Sequence, residues 1–289
     1  MLTRVQQTTK VTVSHTFRVD GQLTDAAGAV TATVKRLDGT AVVGAGSVNH
    51  DSLGVYSVAL PTSAVPDTWT LDWSGSLSGA TVIVRDIVEI VGDFLFGTNE
   101  VRTEYNLAVN KYPDAMLVQK RIEVENECED ICRRAFVPRF KRRLLDGSGT
   151  DELIVPDLYL RTLRAASVAV YAGQTMTPLT TTDLAAVAAQ PEGTLIRDDG
   201  QLWPLGHRNI IVEYEHGEDW APETIRSGAK LRLRTVIDRP VTGVPQRAVS
   251  FTTQDGGIYR LSQPGKASTG QPEVDGLYGR LAEPRVWIA

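Results

Sequence analysis

The chain has 289 residues, of which 42% are hydrophobic and 22% are charged, and its formal net charge is −5 at pH 7. The composition is that of an ordinary globular protein, and the length predicts about two domains. The negative charge argues against a protein that holds phosphates over its whole surface. No apolar run approaches the ~20 residues that span a bilayer, and the first residues lack a secretory-signal pattern. We therefore expect no membrane partner, and we expect the protein to mature in the compartment in which it is synthesised.

Residues 11–91 alternate between apolar and polar side chains in short runs that turn-forming residues such as Asp38-Gly39 separate. The predicted strands lie near residues 11–17, 30–37, 53–60, 69–73 and 82–91. Such a series of short strands predicts a small β-sandwich. Two segments, Gly54-Val-Tyr-Ser-Val and Trp69-Thr-Leu-Asp-Trp, resemble those of Ig-like or prealbumin-like modules. The hydrophobic period changes near residue 97, so we place one domain at residues 1–97 and a second at 98–289.

Helical patterns begin where the strands end. Thr98 or Asn99 is suited to cap a first helix that carries Glu100 in its first turn. A longer helix is predicted from about Asp114 to Ala135, with one apolar face. Its opposite face is densely charged, so that face is expected to meet water or a neighbouring subunit.

The chain beyond residue 135 is predicted to be β-rich again, with strands at residues 153–155, 167–171, 195–197 and 210–214. A further helix opens at Pro222 and ends before Pro240. Asp255-Gly-Gly indicates a late hairpin, and Pro284 favours an extended tail over residues 282–289. The predicted fold class is therefore mainly β with an α+β C-terminal part. An N-terminal β-sandwich precedes a helix-plus-β domain with a short second helix region and an extended C-terminal tail.

Seven segments follow one another in an order that resembles the head-to-tail adaptor (connector) proteins of long-tailed bacteriophages. They are Arg134-Ala-Phe-Val-Pro-Arg, Ala169-Val-Tyr-Ala-Gly, Trp203-Pro-Leu-Gly, Glu213-Tyr-Glu-His-Gly217, Pro222-Glu-Thr-Ile-Arg, Phe251 to Tyr259 and Thr269-Gly-Gln-Pro-Glu-Val-Asp275. The resemblance covers about residues 98–289, and the N-terminal sandwich is an addition to the smallest members of that family.

The resemblance implies a virion structural protein of the neck, assembled in the host cytoplasm. It implies a ring of about a dozen copies below the portal that continues the DNA channel and links capsid to tail. The implied partners are the portal protein, further copies of this chain, a tail or stopper protein, and genomic double-stranded DNA that passes through the lumen without sequence recognition. The family has no cofactor and no catalytic residues, so the resemblance implies neither here.

Two stretches are candidates for the portal or subunit interface. The first is the apolar end of the chain, Arg285, Val286, Trp287 and Ile288, because apolar side chains at a free end usually have a covering partner. The second is the basic stretch with Arg139, Lys141, Arg142 and Arg143. Three interpretations of the basic stretch stay open: a solvated helix end, a contact with an acidic protein surface, or a contact with DNA phosphate.

Residues suited to catalysis do not form a recognised motif in this sequence. Asp146 to Glu152 has oxygen ligands at alternate positions, but it lacks the glycine and glutamate of a calcium loop. Cys128 and Cys132 are expected to be reduced core thiols, and His216-Gly217 a turn at a strand end. We therefore expect no enzyme. The alternative function is a binding module whose Ig-like domain recognises a host-surface or capsid ligand, and a hydrolase or metal enzyme ranks third.

Overall fold

The computed structural model describes residues 2–170, 174–238, 248–252, 258–261 and 268–283, and for 248–252 and 258–261 it describes the backbone alone. These residues form two compact units. The first contains Met1–Asp93, Pro138–Val155 and Leu160–His216, and the second contains Phe94–Val137, Pro156–Tyr159 and the described residues from Gly217 onward. The units and the predicted domains divide the chain differently, so independent folding of residues 1–97 stays a prediction.

The N-terminal part consists of short strands, and the longest alternation between buried and more exposed side chains is in β8, as its sequence predicts. They are β1 (Leu2–Gln6), β2 (Val11–Thr16), β3 (Arg18–Val19), β4 (Gln22–Leu23), β5 (Thr31–Arg36), β6 (Val48–Ser52), β7 (Val55–Leu60), β8 (Asp67–Leu77) and β9 (Ala80–Val91). One sheet has the order β1-β9-β8-β5, with β1 parallel to β9, and a second has the order β2-β7-β6. Trp69, Leu71 and Trp73 of β8 pack with Val58 of β7 in one core. The predicted β-sandwich is confirmed.

Two further sheets follow in the first unit. Their strands are β10 (Arg139–Gly147), β11 (Glu152–Ile154), β12 (Leu160–Val168), β13 (Thr177–Pro178), β14 (Val187–Gln190), β15 (Thr194–Arg197) and β16 (Gly206–His216). One sheet has the order β10-β16-β12-β13, and the other has the order β11-β15-β14. Leu153, Leu195, Trp203 and Tyr214 are buried in the core that these strands share. The described chain also has a backbone hairpin of β17 (Ala248–Thr252) and β18 (Ile258–Leu261), as predicted.

The helices are α1 (Thr98–Glu104), α2 (Asp114–Cys132), α3 (Thr181–Ala185), α4 (Glu223–Asp238) and α5 (Pro272–Gly279). The core of the second unit lies among α1, α2, α4 and α5, and its buried side chains include Leu117, Cys128, Leu233 and Tyr278. Within the part of the chain that the structure describes, no helix is long and apolar enough to cross a membrane.

Two helix boundaries differ from their predictions. The cap of α1 is Gly97 rather than Thr98 or Asn99, because its backbone N–H donates to the Glu100 carboxylate at 3.3 Å. The long helix α2 ends at Cys132 rather than near Ala135, because Arg133 turns the backbone into the left-handed region at a φ of 58°. The short helix α3 was not predicted; Thr180 caps it by accepting a hydrogen bond from the Asp183 N–H at 3.2 Å. The predicted fold class, mainly β with α+β parts, is confirmed.

Candidate assembly interface

The basic stretch after α2 forms an edge strand, not a helix end. Arg139–Gly147 is β10, and it pairs antiparallel with β16 along one side of its sheet. The interpretation of these cations as a solvated helix end is therefore wrong, because α2 has already ended at Cys132. Charged side chains on an edge strand oppose pairing with a strand of another protein. The cations of β10 nevertheless leave this edge available to a partner surface of opposite, negative charge.

The pairing register divides the cations of β10 between the two faces of the sheet. Arg139 lies opposite His216, and Lys141 lies opposite Tyr214, which is fully buried. Because directly paired residues share a face, these two cations and Arg143 stand on the side of the sheet that carries its core. Arg139 is itself buried, whereas Arg143 is exposed.

The opposite face of the sheet carries compensated charges. Arg142 donates to the carboxylate of Glu213, its direct partner on β16. On the next strand Arg164 donates through Nε to Glu215 at 2.6 Å, and its guanidinium lies 5.2 Å from the centre of the Phe140 ring. Arg142 is held by a protein carboxylate and is half-buried, and of the four cations Arg143 is the most exposed.

A polar cluster in the second unit fixes the point from which the C-terminal tail departs. Arg134 is 8% exposed, and its Nη1 lies 3.1 Å from a Glu218 oxygen and 3.2 Å from a Glu283 oxygen. The same Nη1 donates to the Tyr159 hydroxyl at 2.5 Å, and that hydroxyl donates to Glu283 at 3.0 Å. We call Arg134, Tyr159, Glu218 and Glu283 the tail-root cluster.

Backbone and ring contacts complete the tail-root cluster. The Glu283 N–H donates to the Cys132 carbonyl at 3.1 Å, so this residue is held by both its backbone and its side chain. The Arg134 guanidinium also lies 4.8 Å from the centre of the Phe136 ring, which is a cation–π contact. Glu283 is thus held at both its backbone and its side chain, so the chain that follows it starts from a defined point.

Two carboxylates share one guanidinium in the tail-root cluster. Burial raises the pKa of Glu218; the Arg134 charge opposes this shift, and the nearby Glu283 charge adds to it. Burial also raises the pKa of Tyr159, with a further contribution from its hydrogen bond to Glu283. Removal of Arg134 would leave the two carboxylates facing each other without a cation between them.

The predicted interface residues Arg285, Val286, Trp287 and Ile288 lie outside the described residues. The same holds for the turn predicted at Asp255-Gly-Gly. The tail-root cluster therefore marks the last described point before the apolar segment, and the role of that segment stays a prediction.

The Trp-Pro-x-Gly segment of the resemblance is an internal structural element. Trp203 is fully buried, its backbone N–H donates to the Thr150 carbonyl at 2.7 Å, and Arg197 lies over its ring. Asn209 ties the neighbouring loops together: its side chain accepts from the Gly147 N–H at 2.9 Å and donates to the Pro204 carbonyl at 3.1 Å. The Trp-Pro-x-Gly segment thus contributes Trp203 to the core that it shares with Leu153, Leu195 and Tyr214.

The His-Gly segment ends β16 at a position that requires glycine. Gly217 has a φ of 103°, and a Cβ atom there would lie 2.3 Å from the Val137 carbonyl oxygen. The Gly217 N–H donates to the Tyr159 carbonyl at 2.9 Å, next to the tail-root cluster. The predicted turn at His216-Gly217 is confirmed, and its glycine allows the close backbone approach.

The Thr-Gly-x-Pro-x-Val-Asp segment shapes the start of α5. The Thr269 N–H donates to Asp275 at 2.7 Å, and the Thr269 hydroxyl donates to the same oxygen at 2.8 Å. Val274 is fully buried between these polar positions. The Trp-Pro-x-Gly, His-Gly and Thr-Gly-x-Pro-x-Val-Asp segments therefore each hold a part of the fold in place.

Within the described ranges no group of three His, Cys, Asp or Glu residues is placed to hold a metal ion. The loop considered for calcium is held by its own contacts: the Ser148 hydroxyl donates to the Glu152 carbonyl at 2.5 Å, and Asp146 lies 3.0 Å from His207. Cys128 and Cys132 are buried, free thiols, as predicted. Burial raises the pKa of the Cys128 thiol well above its usual value, as expected of an inert core residue.

No protein-family model and no curated protein matches this chain. It is similar to solved chains described as "Neck of empty GTA particle computed with C6 symmetry" and "Neck of native GTA particle computed with C12 symmetry". The first is 17% identical with a TM-score of 0.45, and the likeness covers 68% of this chain and 93% of that one. The second is 13% identical with a TM-score of 0.42, and the likeness covers 69% and 98%.

A third solved chain, from "Crystal Structure of the ZIG-8-RIG-5 IG1-IG1 heterodimer, monoclinic form", covers 31% of this chain and 80% of its own length. It is 10% identical, with a TM-score of 0.22. The structure neighbours with the larger coverage are thus chains from the neck or the virion of gene transfer agent particles. At TM-scores below 0.5, however, none of these likenesses decides a function for this chain.

Sequence reasoning missed the partners that organise the two candidate surfaces. Glu213 and Glu215 belong to the Glu213-to-Gly217 segment of the resemblance, and the sequence did not indicate that they hold Arg142 and Arg164. Tyr159 and Glu283 carried no sequence signal, because their link to Arg134 joins positions that are 25 and 149 residues apart. A pattern of charge and period reports which surface a residue faces, but it does not report a pairing at such separations.

Proposed function

We propose that this chain is a virion structural protein of the neck, a head-to-tail adaptor that forms a ring below the portal and links capsid to tail. It acts by assembly, without catalysis or a cofactor. In the ring it would contact the portal protein, further copies of itself and a tail or stopper protein. Double-stranded DNA would pass through the lumen without sequence recognition.

The observation that carries this proposal is the tail-root cluster. Glu283 is held by Arg134, Tyr159 and the Cys132 backbone immediately before an apolar segment that begins at Pro284. An anchored root reduces the number of directions that a short tail samples, which lowers the entropy lost when the tail binds a partner. A ring of such tails binds cooperatively, because each bound tail raises the effective concentration of the next.

The ordered segments support the same proposal. Trp203, Gly217 and the Thr269–Asp275 pair each hold a part of the fold in place, as expected when a resemblance reflects shared architecture. On β10, Arg142 is compensated by Glu213, which favours a protein contact through the edge strand over strong binding of DNA. Weak phosphate contacts suit a channel, since each tight contact would retard DNA passage.

The test compares two tryptophans of the full chain. Trp287→Ala removes the largest apolar group of the tail, whereas Trp220→Ala removes a tryptophan of the second unit that is 74% exposed. We expect rings, or rings stacked on portal, in negative-stain images of the wild type and of Trp220→Ala. We expect Trp287→Ala, and a deletion of residues 284–289, to lose attachment to portal or to the neighbouring copy while retaining the wild-type melting temperature.

The outcomes separate the parts of this proposal. Deletion of residues 284–289 with wild-type portal co-purification would contradict the tail as the anchor. Monomers in all samples, with no association with portal, would contradict the adaptor function itself. Equal loss in the Trp220 and Trp287 variants would show that general surface stickiness, not the tail, drives attachment.

A further inference from the structure

A concave site of about 350 Å³ lies on the N-terminal sandwich, and none of its lining residues belongs to the interface described above. Its polar groups come from Asp25, His50 and Tyr56, and its apolar walls come from Ala26, Ala29 and Val48. The volume is at the small end of the range for small-molecule sites, and it suits a single compact polar ligand. The side chains of Ala26 and Ala29 in the wall are small, which leaves room for a ligand.

The Asp25 carboxylate is fixed by two donors at the same oxygen. Oδ1 accepts from the Gly54 N–H at 2.6 Å and lies 2.9 Å from His50 Nε2. These contacts, the backbone hydrogen bond first, lower the pKa of Asp25, so the group is an anion at neutral pH. Its Oδ2 has no hydrogen-bond donor among the described residues, and therefore it is an acceptor available to a ligand.

The two rings beside Asp25 add one further acceptor and one donor. His50 directs Nε2 to Asp25, which leaves Nδ1 as an acceptor when the ring is neutral. Its ring is stacked on Tyr56 with centroids 4.8 Å apart and an interplanar angle of 28°. The Tyr56 oxygen accepts from the Ala26 N–H at 3.1 Å, so its own hydroxyl proton is available for donation. Two acceptors and one donor thus stand next to apolar walls.

We propose that this pocket binds a neutral saccharide, with adjacent hydroxyls of one sugar residue hydrogen-bonded to Asp25 and His50. Each hydroxyl both donates and accepts, which matches the mixture of groups in the pocket. The C–H face of a sugar ring would pack on Ala29 and Val48. The Asp25 charge excludes anions such as phosphate, and a single carboxylate already shared with His50 offers little to replace the hydration of an ammonium ion. The proposal stands independently of the neck function.

The chain contains a matched control for this site. Asp146 accepts from a backbone N–H, that of Arg208 at 2.7 Å, and lies 3.0 Å from His207 Nδ1. It therefore repeats the chemistry of Asp25 with Gly54 and His50. Asp146 is not among the residues that line the pocket, so a substitution there removes an equivalent carboxylate without changing the proposed site.

The experiment is saturation-transfer NMR on the full chain with free glucose, galactose, mannose and N-acetylglucosamine as separate probes. Three variants are compared with the wild type: Asp25→Asn, which keeps the shape of the side chain; Ala29→Phe, which fills the pocket from an exposed position; and Asp146→Asn. We expect transfer to at least one sugar in the wild type and in Asp146→Asn. We expect the affinity to fall by about tenfold or more in Asp25→Asn and Ala29→Phe.

Thermal melts of all three variants show whether a loss of binding reflects unfolding. Absence of transfer to every sugar in the wild type would overturn the proposal. Equal transfer in the wild type, Asp25→Asn and Ala29→Phe would overturn it as well, because binding would then lie elsewhere. Lysine and arginine serve as additional probes: if they bind in an Asp25-dependent manner and the sugars do not, the pocket is a cation site and the saccharide assignment is wrong.

Discussion

Replacing Arg134 with methionine tests the tail-root cluster most directly. The substitution keeps an unbranched side chain of similar length and removes the cation between Glu218 and Glu283. Arg134 is 8% exposed, and its carboxylate partners are 20% and 30% exposed. The variant would therefore retain two partly buried carboxylates with no positive charge between them.

The size of the effect follows from these distances. At 3.1 Å and 3.2 Å each ion pair has a gross attraction of about 5 kcal/mol for an effective dielectric constant of 20, most of which desolvation offsets. Removing one partner of a buried pair typically costs about 3–5 kcal/mol. Because Glu218 and Glu283 keep some contact with water, we expect the lower end, about 3 kcal/mol. That loss corresponds to a fall in the melting temperature of about 6–12 °C.

Urea denaturation and thermal melts measure this loss. In the triple variant Arg134→Met, Glu218→Gln, Glu283→Gln the carboxylates are neutral, so we expect it to regain about 1–2 kcal/mol relative to Arg134→Met. Lys120→Met is the control: its pair with Glu123, at 2.7 Å, lies on the surface of α2, and its loss should cost at most about 0.5 kcal/mol. A loss below about 1 kcal/mol for Arg134→Met, or no recovery in the triple variant, would refute the reasoning.

Three further predictions concern stability. Burial raises the pKa of Glu218 in the folded protein above its ordinary value of about 4.5. Such a group stabilises the fold while it is protonated, so its contribution to the free energy of unfolding is full below about pH 4.5 and is lost as the pH rises through the folded pKa. Melts of Glu218→Gln across this window should therefore show a weaker pH dependence than those of the wild type. Gly217→Ala should cost more than about 2 kcal/mol in urea denaturation, because its Cβ would strike the Val137 carbonyl, whereas Gly279→Ala, with open space around it, should cost little. Residues 1–97, expressed alone, should melt cooperatively with β-type circular dichroism; an unfolded fragment would show that the boundary is misplaced.

The N-terminal sandwich was largely predictable because its strands bury alternate side chains. Trp69, Leu71 and Trp73 of β8 point into the core at every second position, so the period of two is visible in the sequence. The strand β1 was missed because its interior includes Arg4, a buried cation paired with Glu89 at 2.7 Å, in place of an apolar residue. A buried ion pair breaks the hydrophobic pattern without breaking the strand.

The candidate site was predictable in location and not in partners. Charge density indicated a basic surface at residues 139–143, but consecutive cations hide the alternation that defines β10. Its strand conformation is stabilised by pairing with β16, a strand some seventy residues later in the chain. The tail-root cluster likewise joins Arg134 to Glu283 across 149 positions, a contact that depends on the finished packing of the second unit.

The strand β16 is synthesised well after its partner β10, and this order affects how the first unit folds during synthesis. The first unit takes its last segment from residues up to His216, so it is completed long after Asp93 has been synthesised. At synthesis rates of about 5–20 residues per second, the interval between these two points is about 6–25 s. β10 is complete only at Gly147, so for the last 69 of these residues, about 3–14 s, it has no strand partner from its own sheet, and its unpaired backbone is open to other nascent chains. The cations of β10 would then act as gatekeepers, since repulsion between like charges keeps such strands apart until β16 arrives.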